Sequence, residues 1–183
     1  MKKIIIIFLL FFFYTELLHS ENLLIESKNI SIDKDKEVSI FKDEVYVKTD
    51  ENHTIVSVYA EYDKKKRVIK FKGNTKLADS KNNTVFTNNA EYSEDTKIFK
   101  TIGSTEIITE ENYIIESANI ILDKNNNSLF SKEKTTIRDK ENNFINLDNF
   151  NYQKENKIFK SIGEIKIQDN QNNVYKFLNN FYF

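Results

Sequence analysis

The chain has 183 residues, with 27 basic and 28 acidic side chains and a formal net charge of −1. That balance supplies no basic field for nucleic acid, and the absence of cysteine excludes disulfides, thiolate metal sites and lipid attached through a thioether or thioester. Hydrophobic residues make up 39% of the chain, a low share for a globular domain, which favours a thin or elongated body over a thick core.

The first element in chain order is residues 1–20, MKKIIIIFLLFFFYTELLHS, with two lysines, an apolar run from Ile4 to Tyr14 and a polar end at Ser20. This is the three-part layout of a secretory signal. The run is shorter than the ~20 residues a spanning helix needs, and Glu16 interrupts its extension through Leu17 and Leu18. Residues 1–20 are therefore expected to be a signal peptide, with a retained N-terminal anchor as the alternative. Residues 21–183 then form the exported part.

From residue 25 onward the sequence repeats every thirty residues with no insertion or deletion, the mark of an architecture built from stacked units. One column reads Ile25, Ile55, Val85, Ile115, Ile145, Tyr175, and a second, seven residues on, reads Ile32, Tyr62, Tyr92, Leu122, Tyr152, Tyr182. A second segment in each unit ends on Val47, Leu77, Ile107, Ile137 or Ile167. Both segments are rich in Ile, Val, Phe, Tyr and Thr without helical spacing, and so are expected to be strands.

Polar clusters such as DKKKR (63–67), DSKNN (79–83), DKNNN (123–127) and DKENN (139–143) separate them. Asn and Asp tolerate positive φ and bond their own backbone, so these are expected turns, although an AT-rich coding sequence would account for the same bias. Turns this short force consecutive strands to be antiparallel neighbours. The expectation is eleven strands, two in each of five units and one more at the C-terminus, in an all-β fold.

The three glycines, Gly73, Gly103 and Gly163, share one column in the middle of the second strand, where the other units carry Asp43 and Glu133. Glycine inside a strand marks a bulge, bend or close approach, and the column is expected to curl each strand from one packed layer into the next. The parity of the first strand agrees: Ile25 and Ile32 lie an odd number of residues apart, so an irregularity must return both to one face.

No catalytic constellation can be assembled. After removal of the leader only His53 remains of the histidines, in an expected solvated turn, and no nucleophile triad or metal-ligand spacing is present. Neither a cofactor nor a metal is expected, and nothing singles out a carboxylate pair of the glycosidase kind.

Segments such as IESANIILDKNNNSLF and NNAEYSEDTKIFKTIGSTEI resemble the OstA-like modules of lipopolysaccharide transport, found in the periplasmic bridge protein LptA and the N-terminal domain of the outer-membrane assembly protein LptD. The resemblance spans residues 24–183 and departs from the pattern at Asp43 and Glu133, which leaves the bend in those two units open. It implies an elongated, open antiparallel β-jellyroll in the periplasm, associated with the outer membrane, that holds lipid A acyl chains on its inner face. It also implies edge-strand pairing with other modules, up to a head-to-tail oligomer. The inner-face candidates are Ile25, Ile32, Val47, Ile55, Tyr62, Leu77, Val85, Tyr92, Ile107, Ile115, Leu122, Ile137, Ile145, Tyr152 and Ile167, and a charge at Ile107 or Tyr92 is expected to abolish lipid binding. A plain hydrophobic core accounts for each residue equally well. A structural or adhesive β repeat without ligand and a carbohydrate-binding or hydrolytic β domain are the competing functions, and a free bridge competes with the N-terminal domain of a larger translocon.

Overall fold

The computed structural model describes residues 23–49, 52–153, 155, 158–178 and 181–182; the expected signal peptide lies outside them. Seventeen strands follow in chain order: β1 (Leu24–Glu26), β2 (Asn29–Asp33), β3 (Val38–Lys48), β4 (Thr54–Asp63), β5 (Val68–Ala78), β6 (Thr84–Ser93) and β7 (Ile98–Ile108) make up the first part. The remainder are β8 (Ile114–Ala118), β9 (Ile121–Asp123), β10 (Ser128–Ser131), β11 (Thr135–Arg138), β12 (Phe144–Leu147), β13 (Phe150–Gln153), β14 (Ile158–Ser161), β15 (Glu164–Gln168), β16 (Val174–Leu178) and β17 (Phe181–Tyr182). All pairings among them are antiparallel, and the fold is all-β and open-ended, as the repeat implied.

The eleven expected strands are present as eleven levels of a stack, but five of them are cut in two among the described residues, and the residues between β16 and β17 in the last level lie outside these. β1 with β2 forms the first level, and the pairs β8–β9, β10–β11, β12–β13, β14–β15 and β16–β17 form the last five. One ladder runs from β2 through the outer parts of β3–β7 to β9, β10, β13, β14 and β17. The other runs from β1 through the opposite parts of β3–β7 to β8, β11, β12, β15 and β16. The sheet is thus creased along its middle into two layers that share one core.

The crease lies on the glycine column. Register shifts fall between Lys42 and Val45, between Lys72 and Thr75 and between Thr87 and Asn89, and Gly73, Gly103 and Gly163 all have positive φ. The two units without glycine bend as well. Asp43 and Glu44 both take left-handed φ, 61° and 54°, a conformation that costs an L-residue roughly 1–2 kcal/mol. Glu133 sits in the link between β10 and β11, where breaking the strand does what glycine does elsewhere. The odd spacing of the first strand is resolved at the same crease, so that Val85 and Tyr92, on either side of it, are both buried.

One family of turns explains the asparagines. Asn52, Asn82, Asn112, Asn142 and Asn172, one per unit, all have φ between 58° and 68°, the left-handed region that Asn tolerates best after Gly. Each donates its N–H to the carbonyl three residues earlier, for example Asn82 to Asp79 at 3.2 Å and Asn142 to Asp139 at 3.2 Å. In three of these turns the aspartate also accepts from the backbone, as Asp139 Oδ1 does from the N–H groups of Glu141 and Asn143 at 2.9 Å. The period in these asparagines therefore has a conformational cause that codon bias does not supply.

Substitution of the glycines should separate strain from crowding. A Cβ on Gly103 (φ 84°) would meet nothing within 4 Å, whereas one on Gly163 (φ 112°) would lie 2.6 Å from Asp148 Oδ2 and 3.2 Å from Asp148 Cβ. Gly103→Ala is expected to cost about 1 kcal/mol from its φ alone, and Gly103→Asn less. Gly163→Ala is expected to cost more than Gly103→Ala, because Asp148 must also give up its bond to the Glu164 N–H at 3.0 Å. Equal losses at both sites in denaturant titrations would remove crowding from the account.

Candidate functional site: the inner face

Within one layer a single cross-strand row runs the length of the stack: Ile25 faces Val47, Val47 faces Ile55, and the row continues through Leu77, Val85, Ile107 and Ile115. It goes on through Ile137, Ile145 and Ile167 to Tyr175. Two columns read separately from the sequence are therefore one physical row. Facing residues on adjacent antiparallel strands touch, which is the unit of sheet stabilisation.

The other layer carries a second row: Tyr62 faces Ile69, then come Tyr92, Phe99, Leu122, Leu129, Tyr152 and Phe159 in register. Ile69, Phe99, Leu129 and Phe159 were not among the candidates, although they recur at thirty-residue intervals. They open the second strand, and only its closing column had been singled out. Between the two rows, beside the crease, large and small residues alternate in register as Phe41, Ala60, Phe71 and Ala90.

Fourteen of the fifteen candidates join this inner cluster, either buried or packed against it. The exception is Ile32, which is 66% exposed. It lies on the edge strand β2, and its neighbour across the ladder is Ser39, not another large apolar residue. Tyr92 and Ile107 are 1% and 3% exposed, so in the middle of the stack the two layers close on each other without leaving these side chains open to a ligand. At the C-terminal end the interior opens: Tyr175, the last member of the first row, is exposed, as are Val174, Phe177 and Leu178 beside it.

A row of hydroxyls follows the crease, and the sequence reading missed it. Thr75 faces Thr87, Thr87 faces Thr105 and Thr105 faces Ser117, while Ser57 and Thr135 extend the row through hydroxyl–hydroxyl contacts of 3.0 Å to Thr75 and 2.8 Å from Ser117. These groups serve the backbone of the crease. Ser57 Oγ donates toward the Gly73 carbonyl at 3.1 Å, Thr105 Oγ1 to that of Gly103 at 3.1 Å and Thr135 Oγ1 to that of Glu133 at 3.0 Å. The Gly103 carbonyl accepts as well from the Asn119 N–H at 3.1 Å, so hydroxyl and backbone donors share one acceptor at that bend. The signal was available as Thr75, Thr105 and Thr135, two residues after Gly73, Gly103 and Glu133, three of the five members of the glycine column.

The two layers also meet through their turns. His53, in the turn between β3 and β4, places Nδ1 3.0 Å from Lys124 Nζ in the turn between β9 and β10, so it is not the solvated turn residue expected. Lys124 also lies 5.5 Å above the Tyr92 ring. Nearby, Glu94 is buried and its Oε2 is 3.3 Å from Arg67 Nη2. Burial first, and then the Glu94 carboxylate, push the Tyr62 hydroxyl up to about 12. Tyr152 is raised too, by burial and by the charge of Glu111. Both phenols therefore stay neutral, as the lining of an apolar interior requires. Exposed carboxylates of the turns move the other way: the Lys36 backbone N–H lowers Asp33 and the Asn173 side chain lowers Asp169.

No protein-family model matches the chain, and no curated protein matches it. Among solved structures it is similar to LptH, the LptA homologous periplasmic component of the conserved lipopolysaccharide transport device from Pseudomonas aeruginosa. The identity is 7% and the TM-score 0.30, over 86% of this chain and 95% of that one. It also overlaps the TCP10 domain of Danio rerio CPAP, solved with a peptide of Danio rerio STIL, at 11% identity and a TM-score of 0.16, over 86% of this chain and 99% of that one. Neither overlap bears on function; the all-β architecture stands on the strand pairings above.

Proposed function

We propose that the chain is a periplasmic lipid-carrying module of the lipopolysaccharide-transport kind, whose interior receives acyl chains and whose edge strands join it to other β modules. The observation that carries this reading is the apolar row that runs from Ile25 in the first level of the stack to Tyr175 in the last, faced by a second row from Tyr62 to Phe159, and that ends among exposed Tyr175, Phe177 and Leu178. Withdrawing one methylene from water is worth ~0.8 kcal/mol, so a twelve-carbon chain gains about 10 kcal/mol, and only an apolar path of this continuity can offset its return to water. The thirty-residue pattern of the OstA-like modules supports the same reading, both for a free bridge and for the N-terminal domain of a larger assembly protein.

The test is titration of the purified protein with lipopolysaccharide and, separately, with a long-chain fluorescent fatty acid. Saturable binding is expected, and Tyr175→Asp together with Phe177→Asp should weaken it by at least about tenfold, the equivalent of ~1.4 kcal/mol, because both lie where the interior opens and neither is buried. Absence of saturable binding of either probe overturns the reading.

A second reading, a β repeat that assembles without ligand, is favoured by the closed middle of the stack, where Val47, Ile55, Ile69 and Phe99 have no exposed surface. It requires strand-mediated oligomers that take up neither probe.

A further inference from the structure

The crease differs between the two halves of the molecule. In the first half every strand from β3 to β7 crosses it unbroken, and pairing resumes almost at once: between β6 and β7, Thr87 still faces Thr105 and Asn89 already faces Ile102. In the second half no described level crosses intact. Between the β8–β9 and β10–β11 levels the register stops at Glu116 facing Thr136 and resumes only at Ile121 facing Phe130. Between the β12–β13 and β14–β15 levels it stops at Leu147 facing Ile165 and resumes at Asn151 facing Lys160. Side chains hold the gap in place of backbone ladder, as where Asn149 bonds both the N–H and the carbonyl of Ile162, at 3.1 and 2.6 Å.

Burial also loosens deeper into this half: Ile115 and Ile137 are still buried, while Ile145 and Ile167, next in the same row, and Tyr152 in the other layer are only partly so. Regions with fewer buried apolar contacts and less continuous backbone pairing open at lower free energy than the rest of a domain.

We propose that the second half of the stack, strands β8–β16, is the loading portal: its two layers part at the broken crease to admit a long acyl chain between Ile145, Tyr152 and Ile167, while the unbroken strands β3–β7 stay closed. This rests on the lipid-carrying reading for the identity of what enters, but not for the opening itself.

Two measurements decide it on the whole protein. Native-state hydrogen exchange should find the amides of residues 131–135 and 161–164 exchanging at least about tenfold faster than those of residues 73–75 and 103–105; equal protection would overturn the opening whatever the ligand. Because the chain has no cysteine, introduced pairs are unique. A short bis-maleimide across Glu111→Cys and Tyr152→Cys, where the charge of Glu111 acts on the Tyr152 phenol, should slow uptake of the fluorescent fatty acid by at least about tenfold relative to the same variant before cross-linking. The same reagent across Arg67→Cys and Asp95→Cys, in contact at 2.6 Å in the turns that join β4 to β5 and β6 to β7, should leave uptake within about twofold. Unchanged uptake on cross-linking the first pair, or equal slowing by both, overturns the portal. If the uncross-linked protein takes up no probe, the lipid reading fails, and exchange still decides whether this half opens.

Discussion

Phe71→Ala is expected to lower the unfolding free energy by about 3–5 kcal/mol, the usual cost of emptying a buried phenyl site. Phe71 is 1% exposed, faces Ala60 on β4 and Ala90 on β6, and has its ring centroid 6.5 Å from that of Phe99. The alternation of large and small residues beside the crease is what lets the two layers close there: one phenyl fills the space that two alanines leave. Ala90→Phe should therefore overpack the same space and cost about 1–3 kcal/mol alone. Combined, Phe71→Ala and Ala90→Phe exchange the large and small partners of one facing pair, so the double variant should lose less than the sum of the singles, as contacting residues do. Strictly additive losses in urea titrations followed by circular dichroism would mean that the two sites do not share a space.

How far the sequence alone reaches depends on what repeats. The thirty-residue period was legible because each level of the stack meets the same environment, so Val47, Leu77 and Ile107 are the same residue type for the same reason. The crease was legible from three glycines, since a positive φ inside a strand leaves few other choices. What did not repeat was not legible. Asp43 accepts the strained φ that glycine takes elsewhere, and the β8–β17 levels break into short strands although their sequence columns match those of β3–β7. Composition along a column sets which face is buried; whether a strand survives its bend depends on how many residues the neighbouring level leaves unpaired, a property of two strands together.

The site shows the same division. The column of Ile32 predicted burial because Tyr62, Tyr92, Leu122 and Tyr152 share it, but a column cannot register that its first member lies on the edge strand. Conversely, the thirty-residue recurrence of Thr75, Thr105 and Thr135 was present and passed over, because a polar residue reads as surface until the backbone group it serves is known, whereas Asn82 and Asn142 lie in clusters read as turns and do take positive φ there.

Ile107→Asp and Ile32→Asp should give opposite outcomes although both residues stood on the same inner-face list. Ile107 is 3% exposed and lies between Val85 and Ile115 in the apolar row. Loss of the side chain there costs about 2–5 kcal/mol, and a carboxylate without a partner adds a burial penalty of several kcal/mol more. Together these rival the 5–15 kcal/mol that holds a typical domain, so Ile107→Asp should abolish the β-type circular dichroism melt at neutral pH. Lipid binding would then be lost through unfolding, and for this reason the exposed Tyr175 and Phe177, not Ile107 or Tyr92, are the places to test a ligand. The pH dependence identifies the cause. Desolvation raises the pKa of a buried aspartate in the folded state above its ordinary value near ~3.9. The charge penalty is therefore absent below that value and grows as the pH rises through and beyond it. Ile107→Asp should thus be less destabilised, relative to the parent protein at the same pH, at pH ~4 than at pH ~7. Ile32→Asp, at a site 66% exposed on an edge strand, should stay within about 0.5 kcal/mol of the parent at both pH values. A stable Ile107→Asp, or an Ile32→Asp that unfolds, would place the core on the other side of the sheet.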